Sequence, residues 1–186
     1  VARRLSLRKH PECHSMAGGK AIEHLAQHGD HHQHPFRLPM QHHRNCDFSF
    51  SGLQSLVNKT IMQKEQEEGI QAGEILSCVK DIAAAVQHAV AVHIIQRTYR
   101  AMLFCIRNNI LTAPKATLVV SGGVASNQYI RKGLQMLADA NGFALLCPPP
   151  RLCTDNGVMI AWNGIERLRA GLGVLHSPEG IRYEPK

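Results

Sequence analysis

No apolar run in the 186 residues is long enough to cross a membrane as a helix, because each is interrupted within a few positions. Charged residues make up only 19% against 44% hydrophobic, which excludes a disordered, solvating tail. No C-x-x-C pair occurs among the six cysteines, and Cys78 and Cys105 fall in a long helical pattern. A reduced intracellular protein is therefore expected over a disulfide scaffold. No H-E-x-x-H motif and no Ser/His/Asp arrangement is present, which leaves proteolysis without support. The chain opens on Val1 without a signal- or transit-like stretch, and the expectation is a start from which one has been removed.

What is present is one domain's worth of α/β pattern, or a substantial part of a two-lobed protein. The formal charge is +7, a weak pull towards anionic partners such as nucleic acid or nucleotides. That charge is spread along the chain: residues 1–44 hold 7 basic and 3 acidic side chains, the remainder 14 and 11. Nine of the twelve histidines crowd into residues 10–43. Residues 16–28 read as a Gly-Gly turn opening a short helix, and residues 29–45 as an aperiodic surface loop. His24/His28 and His10/His14 have i, i+4 spacing, but Pro11 breaks the second pair and no carboxylate accompanies either in an H-E-x-x-H pattern. We read them as loop and surface histidines.

From Cys46 the pattern changes. Phe48 and Phe50 alternate with polar residues, which predicts a short strand, followed by a helix from Gly52 to Glu68. Ile75, Val79, Ile82, Val86, Val90 and Ile94 recur at helical steps and predict helix over 74–108, with a kink or a break if its length is divided. Residues 117–120 and 143–147 predict adjacent parallel strands joined through a helix over 126–139, and a last helix spans 157–170.

Two loops follow these strands. In VVSGGVASN the strand runs into Ser121-Gly122-Gly123 and a helix capped by Ser126 or Asn127. Glycines admit a ligand to the backbone, and a helix start offers free N–H groups to a phosphate or a hydroxyl-rich ligand. A Gly-Gly turn can equally be a turn and nothing more. In PPPRLCTDNG three prolines stiffen the approach to Asp155; Asp155 or Asn156 reads as the cap of the next helix, or Asp155 as a carboxylate held for a metal or phosphate. Cys153 reads as a packed thiol.

CDFSFSGLQS (46–55), VVSGGVASNQYIR (119–131), PPPRLCTDNGVMIAWNGIERL (148–168) and AGGKAIE (17–23) together resemble the tRNA threonylcarbamoyladenosine synthases, long labelled O-sialoglycoprotein endopeptidase-like proteins. The resemblance runs from Val1 to about Gly173. NGIERLRAGLG and QKEQEEGIQAG look most like the mitochondrial members of animals.

That resemblance implies an α/β, actin-like and Hsp70-like ATPase fold. Only its C-terminal lobe is expected here, as a mixed sheet with flanking helices. A His-rich connecting region would occupy 1–45, the lobe 46–173 and a tail 174–186. It implies transfer of threonylcarbamoyl from threonylcarbamoyl-adenylate to N6 of the adenosine next to the anticodon, in mitochondrial tRNA. Gly19, Gly122, Gly123 and Asn127 are implied as donor-binding residues, and Asp155 as a ligand of one divalent metal ion per subunit, iron or zinc. The partners implied are tRNA, the adenylate donor and a second copy of the chain, with no membrane.

The departures bear on that reading. The family's two histidine ligands, its Ser-Gly-Gly-His loop and its G-E-A-F-D element have no counterpart in the sequence. Metal ligation is therefore expected to be incomplete, and the 186-residue chain by itself inactive, with apolar surface left uncovered. The alternative reading is a truncated, non-catalytic module of the same fold that binds nucleotide, tRNA or a partner.

Overall fold

The computed structural model describes residues 1–111 and 116–173; the 174–186 tail lies outside the described residues. Five helices and two strands are described: α1 (Gly18–Ala26), α2 (Ser51–Glu68), α3 (Val79–Arg107), β1 (Thr117–Val119), α4 (Gln128–Ala140), β2 (Ala144–Leu146) and α5 (Gly157–Arg169). β1 and β2 are parallel, with Thr117 opposite Ala144 and Val119 opposite Leu146. The adjacency and direction expected for these strands hold. The sheet expected to be mixed is, among the described residues, this parallel pair alone.

The 29 residues of α3 form one continuous helix, about 44 Å at 1.5 Å per residue. No proline or glycine interrupts it, so it neither kinks nor breaks. It begins at Val79 and not at 74, and the reason is local. Both the backbone N–H and the hydroxyl of Ser77 donate to the Glu68 carboxylate (3.0 and 2.7 Å), which fastens residues 74–78 as a turn against the end of α2. Gly69, at φ 65°, stops α2 in the left-handed region that a side chain would resist.

Burial follows the helical period. Leu53, Val57 and Ile61 line one face of α2 and meet Val79, Ile82, Ala83 and Val86 of α3. Ala21 and Leu25 of α1 join the same core, as do Leu5, Leu7 and Cys13 from the first residues. A bidentate Arg4–Glu65 ion pair holds that first segment on α2 and keeps the Glu65 carboxyl below its ordinary range. Further along α3, Ala91 packs with Ile130 and Leu134 of α4, and Met102 with Ala138 and Phe143. α5 buries none of its side chains: Ile160 is 75% exposed and Trp162 58%, so uncovered apolar surface is a feature of the chain.

The strand expected around Phe48 and Phe50 is absent; the segment is irregular. Alternation there serves a ring. Both phenylalanines stand edge-on to the His93 imidazole, with centroids 5.8 and 5.2 Å away, and among the described residues no neighbouring strand offers a ladder. His93 is fully buried on α3, and its Nε2 accepts from the Ser49 N–H at 3.5 Å. One helical turn on, Arg97 is 2% exposed. Its Nη1 donates to the carbonyls of His43 (2.9 Å) and Asn45 (2.6 Å), and its Nη2 to that of Met40 (2.6 Å). A loop without secondary structure thereby has its carbonyls satisfied by one cation.

Two predictions concern these buried groups. Arg97→Met strips three carbonyls of a charged donor and should cost about 3 kcal/mol, with Arg97→Lys losing part of that, because an ammonium cannot fan across them. Urea midpoints read the cost, and amide exchange should rise through 40–45. His93 has its pKa pushed below 6.5 by burial first, then by Arg97 and Arg100. Its folded-state pKa lies under the unfolded value, so its contribution is intact above pH 6.5 and is lost as pH falls through the folded-state pKa. The melting temperature should therefore drop between pH 7 and 5, and His93→Gln should flatten that slope; parallel curves would contradict the assignment.

Candidate functional site

The site is built where the first strand-following loop and the start of α4 meet α1, with the second loop lying against the first. Beyond β1 the chain turns through Ser121-Gly122-Gly123 into a 3-10 turn (Gly123–Ser126) and then α4. Of the two expected caps, Asn127 is the one used: its Oδ1 accepts from the Ile130 N–H at 3.0 Å. The other end of the same amide, Nδ2, donates to Gln87 Oε1 on α3 at 2.9 Å. Asn127 is thus held at both atoms, with its donor and acceptor ends oriented by different elements.

The start of α4 is not open in the way the sequence suggests. Glu23, on α1, is buried, and its Oε1 accepts from the Gln128 N–H at 2.7 Å while Oε2 accepts from Lys20 Nζ at 3.0 Å. Two first-turn amides of α4 are therefore occupied by protein oxygens. A carboxylate in this position complements the helix dipole and repels phosphate, while offering acceptors to hydroxyl groups. Sequence reasoning missed Glu23. The signal was its spacing: four residues after Gly19, one helical turn along α1.

The second loop turns through Pro150–Leu152 and lies against the first. Arg131 of α4 clasps both: its Nε donates to the Ala125 carbonyl, and its Nη2 to the Pro148 carbonyl (2.6 Å) and to Cys153 Sγ (3.1 Å). Cys153 is buried, a packed thiol as read from the sequence. The cap of α5 is Asn156, whose Oδ1 accepts from the Met159 N–H at 3.1 Å, which leaves Asp155 uncommitted as a cap and exposed. Gly122 and Gly123 are exposed on the neighbouring loop.

Gly19 opens on a different cavity. It lines a space of about 1140 Å³ with Arg3, Arg8, Lys9 and Gly18. Ser121, Val124 and Ala125 instead line an apolar recess of about 580 Å³ with Phe48, Phe50 and Leu53. The structure joins Gly19 to the Asn127 region through α1 and Glu23, not through one shared cavity.

Among the described residues Asp155 belongs to no group of three or more ligand-type side chains, so one exposed carboxylate does not make a metal centre by itself. The histidine pairs are engaged locally. His24 Nε2 meets Glu12 Oε2 at 2.9 Å, which lowers the Glu12 pKa, and His14 Nδ1 meets the Pro11 carbonyl at 3.0 Å.

Residues 1–162 match the sequence model of the family described as tRNA N6-adenosine threonylcarbamoyltransferase. Across all 186 residues the chain is 65% identical to the mitochondrial tRNA N6-adenosine threonylcarbamoyltransferase of Rattus norvegicus and 63% identical to that of Homo sapiens, covering 45% of each. It is also 43% identical over 164 residues, 87% of its length, to the tRNA N6-adenosine threonylcarbamoyltransferase of Granulibacter bethesdensis, covering 42% of it. The chain thus spans less than half the length of these curated relatives.

The capping geometry carries its own prediction. Glu23→Ala leaves the Gln128 N–H without its partner and should cost about 1–3 kcal/mol, while Glu23→Gln, which keeps an acceptor, should cost less. Asn127→Ala should cost about 1 kcal/mol, and Asn127→Asp less than that, since a carboxylate still caps the helix. Urea unfolding of the four variants checks the ranking.

Proposed function

Because the chain belongs to the tRNA N6-adenosine threonylcarbamoyltransferase family, we propose that it serves the transfer of threonylcarbamoyl from threonylcarbamoyl-adenylate to N6 of the adenosine next to the anticodon in mitochondrial tRNA. The mitochondrial setting follows the names of its animal relatives. In this reaction the exocyclic amine bonds to the carbamoyl carbon, the adenylate leaves with the oxygen that held it, and one amine proton goes to solvent.

The observation that carries the reading is the doubly held Asn127 beside the buried Glu23. An oriented amide reads the hydroxyls and ring nitrogens of a nucleoside, and an adjacent carboxylate accepts from its sugar hydroxyls. Gly19, Gly122 and Gly123 have nothing within 4 Å of where a Cβ would stand, so open space lies over the backbone for the donor. The role of these residues is to bind and orient, which converts a bimolecular encounter into a positioned one. The formal charge of +7 favours tRNA as the acceptor.

We assign 46–173 to the C-terminal lobe of an actin-like, Hsp70-like fold, with 1–45 as the connecting region. Asp155 contributes one carboxylate to the divalent iron or zinc of the family. The other ligands are not grouped with it among the described residues. A second copy of the protein belongs to the proposal, because the uncovered apolar face of α5 favours association.

The test is mass spectrometry of tRNA nucleosides from cells that lack the activity and are supplied with a protein carrying this sequence. Threonylcarbamoyladenosine should return to mitochondrial tRNA. Asp155→Ala should abolish it, and Asn127→Asp should reduce it at least tenfold while leaving the fold intact, because the cap survives and the amide donor does not. Binding of the adenylate donor without any modified nucleoside would instead favour a non-catalytic module.

A further inference from the structure

The loop that follows α1 carries a feature which transfer to tRNA does not use. Asp30, His31 and His32 each present a ligand-type atom, and the three atoms lie within 4.8 Å of one another. The loop is fixed before any ligand arrives. The Asp30 N–H donates to Asp81 Oδ1 at 2.8 Å, Asp30 Oδ1 accepts from the His32 N–H at 2.9 Å, and Asp30 Oδ2 accepts from Gln33 Nε2 at 3.0 Å. Gly29 lets this happen: a Cβ there would fall 2.1 Å from the Lys80 carbonyl oxygen, so only glycine allows the loop to seat on the start of α3.

His31 is stacked between two other imidazoles. Its ring centroid is 4.0 Å from that of His32 and 4.1 Å from that of His88, the latter nearly parallel at 27°. His88 in turn shares a 2.8 Å hydrogen bond between its Nδ1 and the Tyr129 hydroxyl, two residues beyond Asn127. Among the described residues, neither the His31 nor the His32 ring has a hydrogen-bond partner, so their nitrogen lone pairs are uncommitted.

We propose that Asp30, His31 and His32 bind a divalent late-transition-metal ion, with zinc as its representative. Two imidazoles and a carboxylate suit zinc, nickel or copper; the absence of thiolate in this group disfavours soft monovalent copper, and a lone carboxylate is too oxygen-poor for magnesium or calcium. Metal–ligand bonds of about 2.0–2.2 Å set tetrahedral neighbours roughly 3.4 Å apart, so closing the site takes side-chain movement of about 1 Å on a loop already anchored. Three protein ligands leave a position for water, which makes this a site of moderate affinity. It uses none of the residues assigned to the family's metal, and its occupancy would stiffen the contact of the α1 loop with α3 and, through His88 and Tyr129, with the first turn of α4.

Zinc titration of the full chain by calorimetry tests this, with a non-chelating reductant and four proteins: wild type, His31→Ala/His32→Ala, Asp30→Asn, and a control, His42→Ala/His43→Ala, in the neighbouring His-rich loop. Wild type and control should bind one equivalent with the same micromolar dissociation constant. The double variant should bind it at least tenfold more weakly. Asp30→Asn keeps the hydrogen bond to the His32 N–H and separates ligand loss from loop loss; it should also weaken binding about tenfold. Paramagnetic nickel should broaden the Tyr129 ring resonances in wild type and not in the double variant. Equal isotherms for wild type and the double variant, or an equal loss in the control, would overturn the site.

Discussion

The rest of the structure hangs on the burial of α3. From Ile82 to Gln87 every side chain is buried, and most of those that follow to Ala91 are at least half covered. Ala83, Ala84, Ala85, Ala89 and Ala91 keep the helix thin, so α1 and α2 can close on one part of it and α4 on another. A polar side chain on a buried stretch or face of the helix cannot be satisfied by exposure, and Gln87, His93 and Arg97 accordingly find internal work. Gln87 orients Asn127, His93 takes the Phe48–Phe50 segment, and Arg97 gathers the carbonyls of 40–45. The polar residues of the scaffold are the points at which loops are attached to it.

This arrangement shapes the candidate site. A helix N-terminus that met only solvent would be a general anion site. Here Glu23 and the Asn127 side chain already occupy the Gln128 and Ile130 amides, so under the proposed function a donor molecule exchanges with protein oxygens and is selected by what it offers in return. Hydroxyls and ring nitrogens gain from that setting, and a phosphate placed on the same amides would face a buried carboxylate. Under the proposed function the site discriminates by the pattern of donors and acceptors more than by charge.

The helices were legible because burial imposes a period. Leu53, Val57 and Ile61, and Ile130 and Leu134, repeat at helical steps and are buried as those steps require. The parallel strand pair was legible from two short β-branched or apolar runs with a helix between them. Phe48 and Phe50 misled because alternation reports which side of the chain faces something, not what that something is; it was an imidazole and not a neighbouring strand. Glu23 and Arg97 were illegible for a related reason. Each acts on backbone atoms distant in sequence, Glu23 on Gln128 and Arg97 on 40–45, and backbone partners leave no mark in residue identity.

Arg131 decides how the two loops of the site can behave. Its guanidinium reaches the carbonyls of Ala125 and Pro148 and the sulfur of Cys153 from the first turn of α4, whose cap is Asn127. A shift of α4 that followed from occupying Asn127 would carry Arg131 with it, and the Pro148 carbonyl it holds belongs to the loop that leads to Asp155. Residues that share a charged donor in this way do not respond to change independently. The glycines of the first loop and the prolines of the second fit the same division: one side is open at the backbone, and the other is stiffened.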